Sequence, residues 1–370
     1  MHIALDCRSI HSHMGGIGRA SLELGRAIGA QPRNHRISMI VGASHAATFS
    51  IEGVQVIPVD AAMIDERFEQ LMLPSLLEEM AVDVYLNTAF SVPAVKTTKV
   101  QLSIIHDVVF EDRPEYVEEW LGSYLSKWSR FAAYHADHVL TVSDHALDRI
   151  SKVYGISPSR ITRVYNGISP SCFEKPDDRE ITRVRRKFGL DRPFILYLGS
   201  IEEKKGIIQL LQAFPLITEE SSPANLVLAG GKGGSAFDLE SEIKKAGCEG
   251  RVRSLGFVDE SDKKPLLKMC SLFVYPSLYE GFGFPPLEAM ALGVPCVVSD
   301  QTCLPEIAGD AALVAPLAES GKFADVLRRG LLDVDFRRSA GTAGPARART
   351  FLWGDSAQEI LKLCEILGGN

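Results

Sequence analysis

Short apolar runs of strand length, each followed by a helical or polar stretch, recur through the first half of this 370-residue chain at 2–5, 37–41, 54–57, 82–86, 100–105 and 139–142. Strands separated by helices predict a parallel sheet, because each helix carries the chain back across a sheet face. The rhythm stops over a polar interval at about 169–192 and restarts at 194–198, 225–229, 252–255, 272–275 and 295–298. Two successive doubly wound α/β domains are therefore expected, and the length suffices for a core in each. The interval has linker and surface-helix composition, and its basic residues Arg183, Arg185, Arg186 and Lys187 predict a solvated helix face.

Composition narrows the function classes. Hydrophobic residues make up 46% and charged residues 24%, an ordinary globular balance, and the net charge of −7 with no clustered basic and aromatic motif argues against a nucleic-acid partner. The seven cysteines are scattered and contain no CxxC pair, so neither a disulfide framework nor a zinc knuckle is indicated, which fits a reducing cytoplasm. The first residues, MHIALDCRSI, enter a strand directly without a basic region and long apolar core, and no apolar stretch reaches membrane-spanning length. The expectation is a protein that is neither exported nor membrane-spanning.

The most chemically specific segment is Tyr279-Glu280-Gly281-Phe282-Gly283-Phe284-Pro285-Pro286-Leu287-Glu288, followed by Gly293-Val294-Pro295. Glycines after the run 272–275 permit a tight path, Pro285 and Pro286 suit a first helical turn, and Gly293 with Pro295 stops a helix of about two turns. The free amides and dipole end of that helix favour an anion such as a diphosphate. Carboxylates at 280 and 288 would repel phosphate on contact, so they suit neutral hydroxyls on either side of it, sugar and ribose being the natural owners. The plain alternative is a pair of solvated surface glutamates.

This segment, with Glu280-x7-Glu288 inside EGFGFPPLEAMALGVPCVVSD, resembles the donor-site signature of the retaining GT-B glycosyltransferases of family 4. The resemblance spans nearly the whole chain. It implies two Rossmann-like domains facing across a cleft, an acceptor-side domain at 1–170, a nucleotide-sugar donor domain at 171–350, and a final helix at 351–370 that crosses back to the first domain. It implies that Glu280 contacts the donor sugar, that amides of Gly283 and Phe284 contact sugar and diphosphate, and that Glu288 holds the ribose hydroxyls; Leu287 is counted with this donor-binding set.

Four other segments carry chemistry. Gly15-Gly16-Ile17-Gly18 leads into an amphipathic helix expected to begin near Ala20, and such a turn can present amides to phosphate. Its long preceding loop and missing third glycine disfavour a dinucleotide fold, while the resemblance implies that Gly16 approaches the donor diphosphate. His106-Asp107 sits at the carboxyl end of the run 100–105, where open α/β sheets bind ligands; a lone histidine is commonly structural, but the resemblance makes His106 the active-site histidine that bonds the donor sugar. In Gly199-Ser200-Ile201-Glu202-Glu203-Lys204-Lys205-Gly206 a lysine can neutralise phosphate. The family places an arginine and a lysine here; Lys205 holds the lysine position, Ser200 replaces the arginine, and Lys204 stands as the compensating cation. Gly256-Phe257-Val258 follows a strand, and the resemblance implies that the Val258 backbone receives the nucleotide base.

Three motifs are set aside. Gly230-Gly231-Lys232-Gly233-Gly234 lacks the Ser or Thr of a phosphate loop, Asp333-Val334-Asp335 lies among late helical arginines and reads as helix surface, and His11-x-His13 reads as loop decoration. Metal-independent transfer is the expectation, with no cofactor beyond the nucleotide diphosphate sugar as co-substrate. The aromatic residues Tyr116, Trp120, Tyr124 and Trp128, continued by Phe131 and Tyr134, form a helical stripe that is either buried core or an acceptor-side or membrane-surface face.

The reaction expected is retaining transfer of a hexosyl group, mannosyl from GDP-mannose ahead of glucosyl from UDP-glucose, to a glycan or polyprenyl-linked glycan of a cell-surface polysaccharide. His106, Glu280 and Lys205 are the catalytic candidates, in a cytoplasmic protein with a peripheral contact on the inner face of the plasma membrane. The rivals are a non-catalytic nucleotide-sugar-binding partner subunit and a glycoside hydrolase, whose two carboxylates must flank a single bond.

Overall fold

The structure, a computed structural model, describes residues 1–11, 15–31, 35–46, 50–217, 224–233 and 237–369. It divides into two compact units, one of Met1–Ser169 with Phe351–Asn370 and one of Pro170–Thr350.

The first unit is built on a parallel sheet of β1 (His2–Asp6), β2 (Arg36–Gly42), β3 (Val54–Val59), β4 (Val84–Asn87), β5 (Val100–Ile104), β6 (His138–Thr141) and β7 (Ile161–Arg163), in the order β3-β2-β1-β4-β5-β6-β7. Residues of β1, β4 and β5 are buried throughout, which is why they read as continuous apolar runs. The second unit carries β8 (Phe194–Leu198), β9 (Asn225–Ala229), β10 (Val252–Gly256), β11 (Leu272–Tyr275), β12 (Cys296–Ser299) and β13 (Leu313–Ala315), in the order β10-β9-β8-β11-β12-β13. Both sheets are doubly wound and all their pairings are parallel. The strand order reverses between β1 and β4 in one unit and between β8 and β11 in the other. Loops leaving the carboxyl ends of those strands part there, which is the place such sheets offer to ligands.

Three sequence expectations change. Strands β7 and β13 carry no recognisable run, because each has three residues and a single buried one at an edge of its sheet. The helix expected from Ala20 starts at Gly16 and runs to Gly29; glycine is a poor helix former, but packing of Ala20, Leu22, Leu24 and Ile28 holds the first turn. The basic run keeps its expected exposed face, and two of its residues also make ion pairs. In the helix Asp178–Phe188, started by an Asp177–Glu180 capping box, Arg183 and Lys187 each lie 2.6 Å from an Asp262 oxygen whose side chain is fully enclosed on the helix Glu260–Met269.

The aromatic stripe is the third. Tyr116 ends a separate 3-10 turn, Pro114–Tyr116, and the helix begins only at Glu119. Along Glu119–His135 the stripe then divides, with Trp128 buried and Trp120 60% exposed. A continuous 3.6-residue period cannot survive a break in the helix, so spacing alone overstated one face.

The closing helix Trp353–Gly368 packs on Gly16–Gly29 within the first unit. Its entry is fixed by the Ile168 N–H donating to the Phe351 carbonyl at 2.9 Å and by Ser356 Oγ donating to the Tyr165 carbonyl at 2.6 Å.

Candidate active site

In the second unit, the turns leaving β8 and β11 meet at the strand-order reversal. Lys205 ends a 3-10 turn, Glu203–Lys205, whose exit Gly206 has φ of +68°; a β-carbon there would fall 1.8 Å from the Pro276 carbonyl oxygen, so only glycine lets the two turns touch. The Lys204 carbonyl accepts from the Leu278 N–H at 2.8 Å and from Ser277 Oγ at 3.3 Å, which locks them together. The contact brings Lys205 Nζ to 2.6 Å from Glu280 Oε1.

Glu280 is further gripped from below. Tyr275 Oη donates to the same Oε1 at 2.7 Å, and the Tyr275 ring stacks against that of Tyr197, whose hydroxyl donates to the Ser200 carbonyl at 2.7 Å. Burial pushes the Glu280 carboxyl up, but the Lys205 charge and the hydrogen bonds from Lys205, Tyr275 and Ser277 outweigh it and hold the group below the usual carboxylate range. The phenols of Tyr275 and Tyr197 are pushed well above theirs by burial and then by Glu280. Near pH 7 an ionised carboxylate thus rests on the neutral phenol of Tyr275, which is stacked on that of Tyr197.

Gly283, with φ of +101°, precedes the helix Phe284–Ala291. Because Pro285 and Pro286 bring no N–H, the amide donors its first turn can offer reduce to those of Gly283 and Phe284. Glu288 lies within this helix and is 7% exposed. Leu287 is 0% exposed and its side chain packs the core, which leaves its main chain for the expected donor-binding set.

Ser200 and Lys204 converge on a carboxylate that the sequence reading did not single out. Ser200 Oγ donates to Glu202 at 2.5 Å, and Lys204 Nζ lies 3.7 Å from the same side chain. The Ile201 N–H donates to the Gly231 carbonyl and the Gly233 N–H to the Ile201 carbonyl, so the glycine run continues the sheet edge beside this turn; Gly234 lies outside the described residues. The Gly230 N–H donates to the Gly256 carbonyl at 2.8 Å, bringing in the next turn, where the Val258 side chain is buried and Phe257 is 71% exposed.

In the first unit His106 is 7% exposed and follows β5. Its Nε2 lies 2.8 Å from the Thr88 carbonyl, which can only accept, so Nε2 carries the proton. Burial pushes its pKa down to about 4, the Thr88 bond only partly opposing this, and the imidazole is neutral near pH 7. Asp107 Oδ1 accepts from the Val109 N–H at 3.0 Å. Phe90, at φ of +75°, sets its ring edge-on to His106 with centroids 5.7 Å apart. Gly16 is exposed at the first position of its helix, beyond the carboxyl end of β1.

That end of β1 holds a charged cluster which no motif announced. Arg8 Nη2 lies 2.8 Å from Asp6 and 3.3 Å from Glu69, all three side chains being at most 3% exposed, and Tyr85 Oη donates to Asp6 Oδ2 at 2.9 Å. Asp6-x-Arg8 at the end of an apolar run was the available signal; its partner Glu69 is remote in sequence. The tyrosines under Glu280 left a similar trace, a phenol inside each of two apolar runs.

The set-aside motifs have structural roles where described. Asp333 caps the helix Val334–Ala348 by accepting from the Phe336 N–H at 3.0 Å and also pairs with Arg329, while Asp335 pairs with Arg338. His11 is exposed, and His13 lies outside the described residues. Among the described residues no group of three or more His, Cys, Asp or Glu is placed to hold a metal ion.

Two parallel, Rossmann-like units place the chain among GT-B folds. The solved structure of sucrose-phosphate synthase from Thermosynechococcus elongatus superposes over 99% of both chains with a TM-score of 0.78 at 20% identity. Family models match along both units, Glycosyltransferase Family 4 over residues 14–171 and Glycosyl transferases group 1 over 178–347. O-antigen chain mannosyltransferase B of Escherichia coli is 32% identical over 268 residues, covering 72% of this chain and 70% of that protein. The Escherichia coli serotype-specific mannosyltransferase WbdA is 25% identical over 96% of this chain, which spans 47% of its length. The chain belongs to glycosyltransferase family 4, with O-antigen mannosyltransferases among its relatives.

Proposed function

We propose that this enzyme transfers a hexosyl group, with retention, from a nucleotide diphosphate sugar to a glycan or polyprenyl-linked glycan in cell-surface polysaccharide synthesis. The observation that carries the reading is the Lys205–Glu280 pair at the β8–β11 reversal, beside a helix start that offers two amides. A cation and a carboxylate in contact can exchange partners when a donor arrives, Lys205 turning to the diphosphate and Glu280 to a sugar hydroxyl. GDP-mannose is placed ahead of UDP-glucose because mannosyltransferases stand among the relatives.

In this mechanism the bond from the anomeric carbon to the diphosphate breaks, and negative charge grows on the leaving phosphate. Lys205 and the Gly283 and Phe284 amides stabilise that charge, with Lys204 as a further cation. The acceptor hydroxyl forms the new bond on the same face and passes its proton to the leaving phosphate oxygen, so no dedicated protein base is required. Glu288 holds the ribose and the Val258 main chain the base; Gly16 and His106 keep the roles that family membership implies, toward the diphosphate and the donor sugar. The first unit serves the acceptor and the second the donor. No metal takes part. The protein is assigned to the cytoplasm with a peripheral membrane contact through the exposed Trp120; no described helix is long and apolar enough to span a bilayer.

A thermal-shift panel of GDP, UDP and ADP sugars with and without EDTA tests the reading, because a ligand that binds only the folded state raises the melting temperature by mass action. One nucleotide sugar should stabilise the protein equally in both conditions and be slowly hydrolysed. Tight binding with no turnover of any donor, with acceptor extracts present, would favour the non-catalytic partner subunit.

A further inference from the structure

The loop that carries Glu280 is held from behind by a turn after β12 that no motif marks. Ser299 Oγ donates to the Ser277 carbonyl at 2.6 Å. The Glu280 N–H donates to Thr302 Oγ1 at 3.2 Å, and Cys303 Sγ lies 3.2 Å from both the Glu280 and the Phe282 carbonyl oxygens, to which its thiol donates. Leu304 closes the row; a β-carbon on Gly283 would come within 2.8 Å of its Cδ2. Every backbone group named belongs to residues 277–283, the stretch that delivers Glu280 and opens the helix Phe284–Ala291.

Thr302 adopts this position at φ of +52°, a left-handed conformation that disfavours a β-branched residue. Glycine would relieve the backbone but provide no hydroxyl. Such local strain is retained where surrounding contacts over-determine it, commonly beside a functional loop. The hydroxyl engages the N–H of the same residue whose carboxylate meets Lys205.

We infer that Thr302 is a positioning residue for Glu280, its hydroxyl fixing the peptide that aims the carboxylate at the donor's sugar, while Cys303 and Leu304 set the path of the loop toward Gly283. The inference rests on the donor-site reading proposed above. Thr302 touches neither Lys205 nor the donor-facing amides in this scheme, so its effect falls on the sugar and spares the nucleotide.

The test compares Thr302→Gly, Thr302→Val and Thr302→Ser in the full chain, by calorimetry with GDP-mannose and GDP, and with UDP-glucose and UDP. Loss of one hydrogen bond's worth of positioning should change the ratio of sugar-nucleotide to nucleotide affinity about fivefold in the Gly and Val variants. Nucleotide affinity should stay at the wild-type value, and Ser, which keeps the hydroxyl, should keep the wild-type ratio. An unchanged ratio in the Gly variant, or equal weakening of nucleotide and sugar nucleotide, would overturn the inference. Wild-type protein that binds neither pair would remove the donor-site reading itself.

Discussion

Lys205 Nζ lies 2.6 Å from Glu280 Oε1, with only 13% and 14% of the two side chains exposed, so the cation and carboxylate assigned to the diphosphate and the sugar of a donor neutralise each other without it. A pair this enclosed is costly to break by removing one partner, because the other is left charged in a poor solvent.

Lys205→Met should therefore destabilise the second unit by about 3 kcal/mol, and adding Glu280→Gln should recover much of that loss. Urea unfolding of the single and double variants measures the coupling. Additive effects would mean that the pair contributes nothing beyond its separate members.

The two glutamates should separate by assay. Glu280→Gln should depress transfer far more than nucleotide affinity, whereas Glu288→Ala should weaken nucleotide binding by about 1 to 3 kcal/mol through lost hydrogen bonds. Calorimetry with the free nucleoside diphosphate, alongside turnover, distinguishes them. Negligible change in both variants would refute the assignment.

His106 should leave a mark on stability in acid. Its folded pKa, about 4, lies below the ordinary 6.5, so the unfolded state binds more protons between those values. The contribution is complete above pH 6.5 and lost as the pH falls toward 4, an effect of about 3 kcal/mol at most. His106→Asn should flatten that part of the stability profile, while His2 and His138, also pushed down by burial, keep their own share.

The two tryptophans of the helix Glu119–His135 should behave differently. Trp128→Ser should cost about 3 kcal/mol as a large side chain leaves the core, whereas Trp120→Ser should leave the melting temperature nearly unchanged and reduce binding to anionic vesicles. Co-sedimentation of the folded Trp120 variant checks this. Undiminished binding would remove Trp120 from the membrane contact.

The alternation of apolar runs and helical segments was enough for two doubly wound parallel sheets, because strands buried on both faces must be apolar throughout, and that leaves a readable trace. The EGFGFPPLE segment was enough for the family, since its glycines and prolines answer to backbone requirements that few other residues meet. What depended on distance in space left little trace. The sequence kept Thr302 and Cys303 unremarked, as each acts through Glu280, a partner reached only when β11 and β12 lie side by side. Local chemistry and periodicity determined the elements and the family; tertiary packing decided which charges meet and which loop is held.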